Sequence, residues 1–352
     1  MADLKGNAGE FDAATLERFL RSRLSDLRGP MRLERIVGGQ SNPTFFVAFD
    51  NRELVLRKQP SGTLLPAAHA VDREARVMQA LAHTDLPVPR IVLFHAGTEV
   101  VGTPFYLMDR VPGRVFPQCE LPGMAPAERR AIYLAMAETM ARLHKVDWRA
   151  AGLADYGRAG GYFTRQFARW SGQWEKSRTR DNADIEQLCE WLPKHLPDES
   201  ETTIAHGDFR LGNLMFHPSE PRVVAVLDWE LSTLGHPLAD VAFNCMAWRT
   251  LPSEYGGIMG LDLPSLGIPA EDEYLRHYYA IGGRRDGVTA FHFAFALFRM
   301  AVIFEGIAAR AAAGNAASAD AGEVGVLTAA FARRAMAFVR GEAKVTPFEE
   351  LT

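Results

Sequence analysis

The sequence predicts an α+β chain of two lobes, a small antiparallel β-sheet lobe followed by a larger, mainly helical one. Short runs of β-branched and aromatic residues separated by turn residues crowd the stretch between positions 31 and 111. Beyond Pro112, long segments carry apolar residues at helical spacing. A length of 352 residues is long for one compact domain and comfortable for two lobes. The lobes are expected at 1–111 and 112–352.

The composition, 47% hydrophobic and 23% charged, is that of ordinary globular material with a large core. A net charge of −4 and no basic block argue against nucleic acid as a partner. Cys119, Cys189 and Cys245 are far apart and form no CxxC pair, so they read as reduced thiols of a cytoplasmic protein. Met1-Ala-Asp-Leu-Lys-Gly lacks the apolar core of a signal peptide. The most membrane-like segment, 291–313, is interrupted by Arg299, Glu305 and Arg310. Each buried charge would cost about 2.5–3.5 kcal/mol in a bilayer, so a buried helix is expected and no membrane partner. Nothing points to an obligate protein partner.

Phe11, Leu16, Phe19, Leu20 and Leu24 recur at helical spacing and predict an opening helix. A strand over 31–37 runs into Gly38-Gly-Gln-Ser-Asn-Pro-Thr44, followed by strands over 45–49 and 53–58 joined at Asp50-Asn51. Strand, glycine-rich turn, strand lets backbone N–H groups approach phosphates, which makes Gly39, Ser41 and Asn42 candidate contacts. The same residues also suit a plain hairpin turn. The third strand ends in Arg57-Lys58; adjacent strand residues face opposite sides, so only one of the two cations points inward. A helix over 67–81 carries Glu74, and strands follow at 91–95 and 104–111. Helices are expected over 126–146, 163–176, 184–195, 238–248, 271–281, 286–313 and 322–341.

The chemistry concentrates in His206-Gly-Asp-Phe-Arg-Leu-Gly-Asn213, within a loop spanning 203–216, and in Val224-Ala-Val-Leu-Asp-Trp-Glu230. Asn213 stands five positions after Asp208, the spacing of the kinase catalytic loop, with Gly207 in place of its arginine. A strand over 223–227 delivers Asp228 at its end, and 214–216 makes a short partner strand. Phosphoryl transfer from ATP needs such a set: a carboxylate to orient the attacking hydroxyl, an amide oxygen and a second carboxylate for Mg²⁺. Taken singly, Asp and Asn in a polar loop are turn formers. Glu230, two residues past Asp228, is expected on the same face of an extended segment, near the metal.

The ordered set, with Leu227-Asp-Trp-Glu230 and Pro237-Leu-Ala-Asp240, resembles the aminoglycoside phosphotransferase family of kinase-like enzymes. It looks most like the branch related to the kinase-like domain fused to some acyl-CoA dehydrogenases. The resemblance runs from about Ile36 to the C-terminal helices and implies a protein-kinase-like fold that uses ATP and Mg²⁺. It implies Asp208 as the catalytic residue, Asn213, Asp228 and Glu230 as metal ligands, and Arg57 on the phosphates with Glu74 as its partner. Backbone groups of Met108, Asp109 and Val111 would meet the adenine. His206, Arg210 and Asp240 would support the catalytic loop, with His144 packed beneath it.

No P-loop, HExxH, GxSxG, flavin or NAD fingerprint is present, so dehydrogenase chemistry is not expected. The expected function is transfer of the γ-phosphoryl group to a hydroxyl of a small molecule. Aminoglycosides are polycations and want an acidic pocket, whereas the second lobe has no dense acidic block but Trp170, Trp174, Trp191, Trp248, Arg165 and Arg169. The related branch implies a hydroxylated acyl group, as a CoA thioester, for the acceptor, which would suit apolar walls and basic residues. Two other readings stand beside this one: a non-catalytic nucleotide-binding module, and a metal-dependent phosphohydrolase built on His206, Asp208, Asp228 and His236.

Overall fold

A computed structural model describes residues 10–36, 42–62, 70–284, 286–312 and 324–351. Gly39 and Ser41 lie outside the described residues. In chain order the elements are α1 (Ala13–Arg23), β1 (Arg32–Arg35), β2 (Thr44–Phe49), β3 (Arg52–Lys58), α2 (Val71–Leu81), β4 (Ile91–His95), β5 (Phe105–Asp109) and β6 (Arg114–Val115). Then come α3 (Pro126–Lys145), α4 (Tyr162–Ser177), α5 (Ala183–Trp191), β7 (Thr203–Ala205), β8 (Leu214–Phe216), β9 (Val223–Val226) and β10 (Thr233–Gly235). The chain closes with α6 (Pro237–Arg249), α7 (Leu263–Leu266), α8 (Glu271–Gly282), α9 (Ala290–Ala312) and α10 (Gly325–Val339). The class is α+β, as expected. Two compact units emerge, residues 1–113 with 224–230, and residues 114–223 with 231–352.

The first unit is a five-stranded sheet in the order β1-β2-β3-β5-β4, with antiparallel neighbours. Asp12 caps α1 by accepting from the N–H groups of Ala14 and Thr15. Leu16 and Leu20 of α1 then pack with Phe45 and Val47 of β2 and Leu54 and Leu56 of β3. Strand alternation puts Leu54, Leu56 and Lys58 on that core face and Val55 and Arg57 on the other. Lys58 is accordingly buried, its ammonium 6.0 Å from the centre of the Phe11 ring. Residues 224–230 were expected with the helical lobe, yet they group with the sheet; Val226 N–H donates to the Pro87 carbonyl at 2.9 Å.

The second unit is mainly helical, with α3 against α8 and α9 against α4, α6 and α10. Helix α9 is long and apolar enough to cross a membrane by length and composition, but 83% of its apolar window is buried in the fold. Its Glu305 is fully buried and accepts from the backbone and hydroxyl of Thr179. The helix starts at Ala290 rather than 286, because His292 Nδ1 accepts the Thr289 N–H there. Strand β7 pairs antiparallel with β10, and β6 with β8. Runs of two or three residues are too short for a periodic signal, which hid β6, β7 and β10 from the sequence.

Candidate active site

In the first unit a cation sits among three carboxylates. Arg57 Nε is 3.0 Å from Glu74 Oε2, and its Nη2 is 2.7 Å from Asp228 Oδ1 and 3.8 Å from Glu230 Oε2. The Nε contact is an ion pair without hydrogen-bond alignment. Burial works against the charge of Arg57, but Glu74, Tyr106, Asp228 and Glu230 together raise its pKa, so it stays a cation. Glu74 is buried, and burial pushes its pKa up against the pull of Arg57. Tyr106 Oη donates to one of its oxygens at 3.0 Å and Asn42 Nδ2 to the other at 2.7 Å. Asn42, read in sequence as a phosphate contact, thus has its amide nitrogen on Glu74.

Asp228 has φ +62°, a left-handed backbone uncommon for a residue with a side chain. The next three residues form a 3₁₀ turn, Trp229–Leu231. Trp229 pins the turn by donating its indole N–H to the Val226 carbonyl at 3.0 Å. Glu230 therefore reaches Arg57 from a turn, not along the extended segment the spacing suggested. One further expectation needs correcting. Lys58 is not an alternative to Arg57, since it points into the α1 core. Asp109 gives its N–H to the Arg90 carbonyl at 2.9 Å and its carboxylate to Arg52 and Arg90. Its backbone donor is therefore engaged within the unit. Met108 stands opposite both Val55 and Ile91 within the sheet, and Val111 follows the end of β5.

In the second unit the loop after β7 is held from several sides. Asp240, buried in the first turn of α6, accepts the N–H of His206 at 2.6 Å and of Gly207 at 2.8 Å. Burial tends to raise its pKa, but the His144 ring, His206 and the Gly207 N–H outweigh it and hold it low. His144 Nε2 lies 3.4 Å from Asp240, and its Nδ1 is 2.7 Å from Tyr278 Oη. Gly207 has φ +81°, and a Cβ there would meet the Leu231 carbonyl oxygen at 2.7 Å. Only glycine fits. His206 is fully buried and its Nδ1 accepts the Asp208 N–H at 3.2 Å. The Asp208 carboxylate takes Asn213 Nδ2 at 2.7 Å and Arg210 Nε at 3.3 Å.

One supporting residue escaped the sequence reading. Arg299 of α9 donates Nη2 to the Gly207 carbonyl at 2.6 Å. An arginine set within the apolar stretch ahead of Glu305 was the signal available. The phosphohydrolase reading finds no support among the described residues. The group of side chains there that could hold a metal is Glu201, His236 and Asp286, without Asp208 or Asp228. Arg284 already pairs with both of its carboxylates. His236 Nδ1 accepts the Leu238 N–H, which in the neutral ring puts the proton on Nε2.

Residues 32–285 match the phosphotransferase enzyme family. The chain belongs to that family. Among curated relatives of this phosphotransferase, mouse acyl-CoA dehydrogenase family member 10 is 45% identical over 332 residues, covering 93% of this chain and 31% of the relative. Human acyl-CoA dehydrogenase family member 11 is 41% identical over 321 residues, covering 88% and 41% respectively. The phosphotransferase chain thus spans well under half of these relatives. A Ralstonia eutropha crystal structure provisionally described as an aminoglycoside phosphotransferase is 44% identical, with TM-score 0.86, over 95% of this chain and 100% of the other. Aminoglycoside phosphotransferase APH(4)-Ia, solved with AMP-PNP and hygromycin B, shares the fold at TM-score 0.61 and 18% identity, over 95% and 100% of the two chains.

Proposed function

We propose that this phosphotransferase moves the γ-phosphoryl group of ATP to a hydroxyl of a small molecule. The observation that carries the reading is Asp208, whose carboxylate is oriented by Asn213 and Arg210 on a loop fixed by Asp240. A carboxylate so held can orient an acceptor hydroxyl and take its proton. Arg57 is the cation for the phosphates. Asp228 and Glu230 would hold Mg²⁺, since they offer the hard oxygens this ion prefers and the Asp228 side chain is 32% exposed. Bound magnesium supplies neutralisation of phosphate charge. Positioning and charge, not covalent chemistry, then account for the rate.

For the acceptor we favour a hydroxylated acyl-CoA. Arg169 and Arg299 have no carboxylate ion-pair partner among the described residues, and burial followed by repulsion from Arg299 lowers the pKa of Arg169. Surplus cation suits an anionic acceptor and repels a polycationic one. The names of the relatives point to acyl-CoA chemistry as well. The thiols of Cys119, Cys189 and Cys245 are free, in keeping with activity in the cytoplasm. The test is ADP release with hydroxyacyl-CoAs, free hydroxy acids, sugars and aminoglycosides as acceptors. Stimulation by hydroxyacyl-CoA is expected. Stimulation by aminoglycosides alone would overturn the acceptor, and no ADP with any of them would overturn the transfer itself.

A further inference from the structure

We propose that Arg299 is a positioning residue for Asp208, acting through the carbonyl of Gly207. The inference rests on the reading of Asp208 as the catalytic carboxylate. Arg299 lies on the buried part of α9 and is 8% exposed. A buried cation is costly unless it is paired, and Arg299 has no ion pair among the described residues. Its Nε finds no hydrogen-bond partner there. Its surroundings are the ring of Trp170 at 5.5 Å, the ring of Phe243 at 5.3 Å, and the Gly207 oxygen at 2.6 Å. Two aromatic faces and one carbonyl are the compensation available to this charge.

The carbonyl is the informative partner. Gly207 is gripped at both ends by charges of matching sign, its N–H on the Asp240 carboxylate at 2.8 Å and its C=O on Arg299 at 2.6 Å. The peptide unit that carries this C=O also carries the Asp208 N–H, held by His206 Nδ1 at 3.2 Å. Both polar atoms of the 207–208 peptide are therefore fixed, and a peptide unit is planar. Fixing that plane sets where the Asp208 side chain leaves the backbone. A backbone at φ +81° has no regular secondary structure to hold it, so the two buried charges do so.

The test compares Arg299→Met and Arg299→Lys with wild type, by steady-state kinetics and by hydrogen exchange at the backbone of residues 204–213. A misplacement of about 1 Å can cost about 100-fold in rate. Arg299→Met is expected to lower kcat about 10- to 100-fold, to leave the KM for ATP within about twofold, and to speed exchange at Gly207 and Asp208. Arg299→Lys, which can still donate to the carbonyl, should recover part of both effects. Unchanged kcat with unchanged exchange would overturn the proposal. So would faster exchange throughout α9 and α10 without a local excess, or a rise confined to the KM of the acceptor. If wild type itself releases no ADP, the transfer reading fails, and the exchange comparison still decides the role of Arg299. If Arg299→Met does not fold, Arg299→Gln, which keeps a polar group but not the charge, takes its place, and wild-type kinetics and exchange there would equally overturn the proposal.

Discussion

Arg57 holds Asp228 at 2.7 Å, and Asp228 makes the contact from a left-handed backbone, φ +62°. Such a conformation costs a residue with a Cβ roughly 1–2 kcal/mol relative to the right-handed one. Strain of this kind persists where its surroundings hold it, here the Trp229 indole bond to Val226 and the salt bridge itself. Asp228→Gly and Asp228→Ala both remove the carboxylate, and only glycine removes the strain. Both variants should lose magnesium-dependent ATP binding by calorimetry, while Asp228→Gly melts higher than Asp228→Ala by the equivalent of about 1 kcal/mol. Retained Mg·ATP binding in either variant would show that the carboxylate serves structure alone.

The two neighbouring cations of β3 should separate cleanly. Arg57→Ala removes charged hydrogen bonds worth about 1.5–3 kcal/mol each, so the KM for ATP should rise roughly 10- to 100-fold. It also takes the Arg57 cation away from Glu74 and Asp228, so Tm should fall. Lys58→Ala should lower Tm as well, because its stem is buried against the α1 core, but leave KM unchanged. Lys58→Met, which keeps the stem, should restore most of the lost stability. A KM for ATP that follows Lys58 instead would place the phosphates on the other face of the strand.

Asp208→Asn keeps the shape of the side chain and removes its charge. General-base contributions are on the order of 10²–10⁴ in rate, and kcat should fall by that much while ATP binding stays nearly intact. Measured on the best acceptor, a wild-type kcat in this variant would exclude the assignment.

Asp240 gives the fold a dependence on acid. Its folded pKa is held below the ordinary aspartate value of 3.8 by His144, His206 and the Gly207 N–H, against the opposing effect of burial. A depressed carboxylate pKa contributes stability that is complete above the unfolded value and lost as pH falls through the folded one. Urea midpoints of wild type and Asp240→Asn should therefore differ most above pH 3.8 and converge below it. A gap that does not vary with pH would mean that the carboxylate charge contributes nothing. Because Asp240 holds His206 and Gly207, Asp240→Asn should also lower kcat.

What the sequence determined by itself was local. Alternation along β3 required Arg57 and Lys58 to face opposite ways, and the five-residue step from Asp208 to Asn213 brought those side chains together within one loop. Helical periodicity located most of the long helices, since a period needs only neighbours within a turn or two. Tertiary structure decided everything that depends on distant residues. Arg57 and Asp228 are 171 positions apart, and Arg299 and Gly207 are 92. No local pattern could show that Lys58 faces the α1 core, or that 224–230 joins the sheet unit. The left-handed turn at Asp228 is also set by what surrounds it, because an aspartate left to local preference takes an ordinary backbone. A buried charge such as Arg299 acquires meaning only from the one group near enough to answer it, and packing alone brings that group within reach.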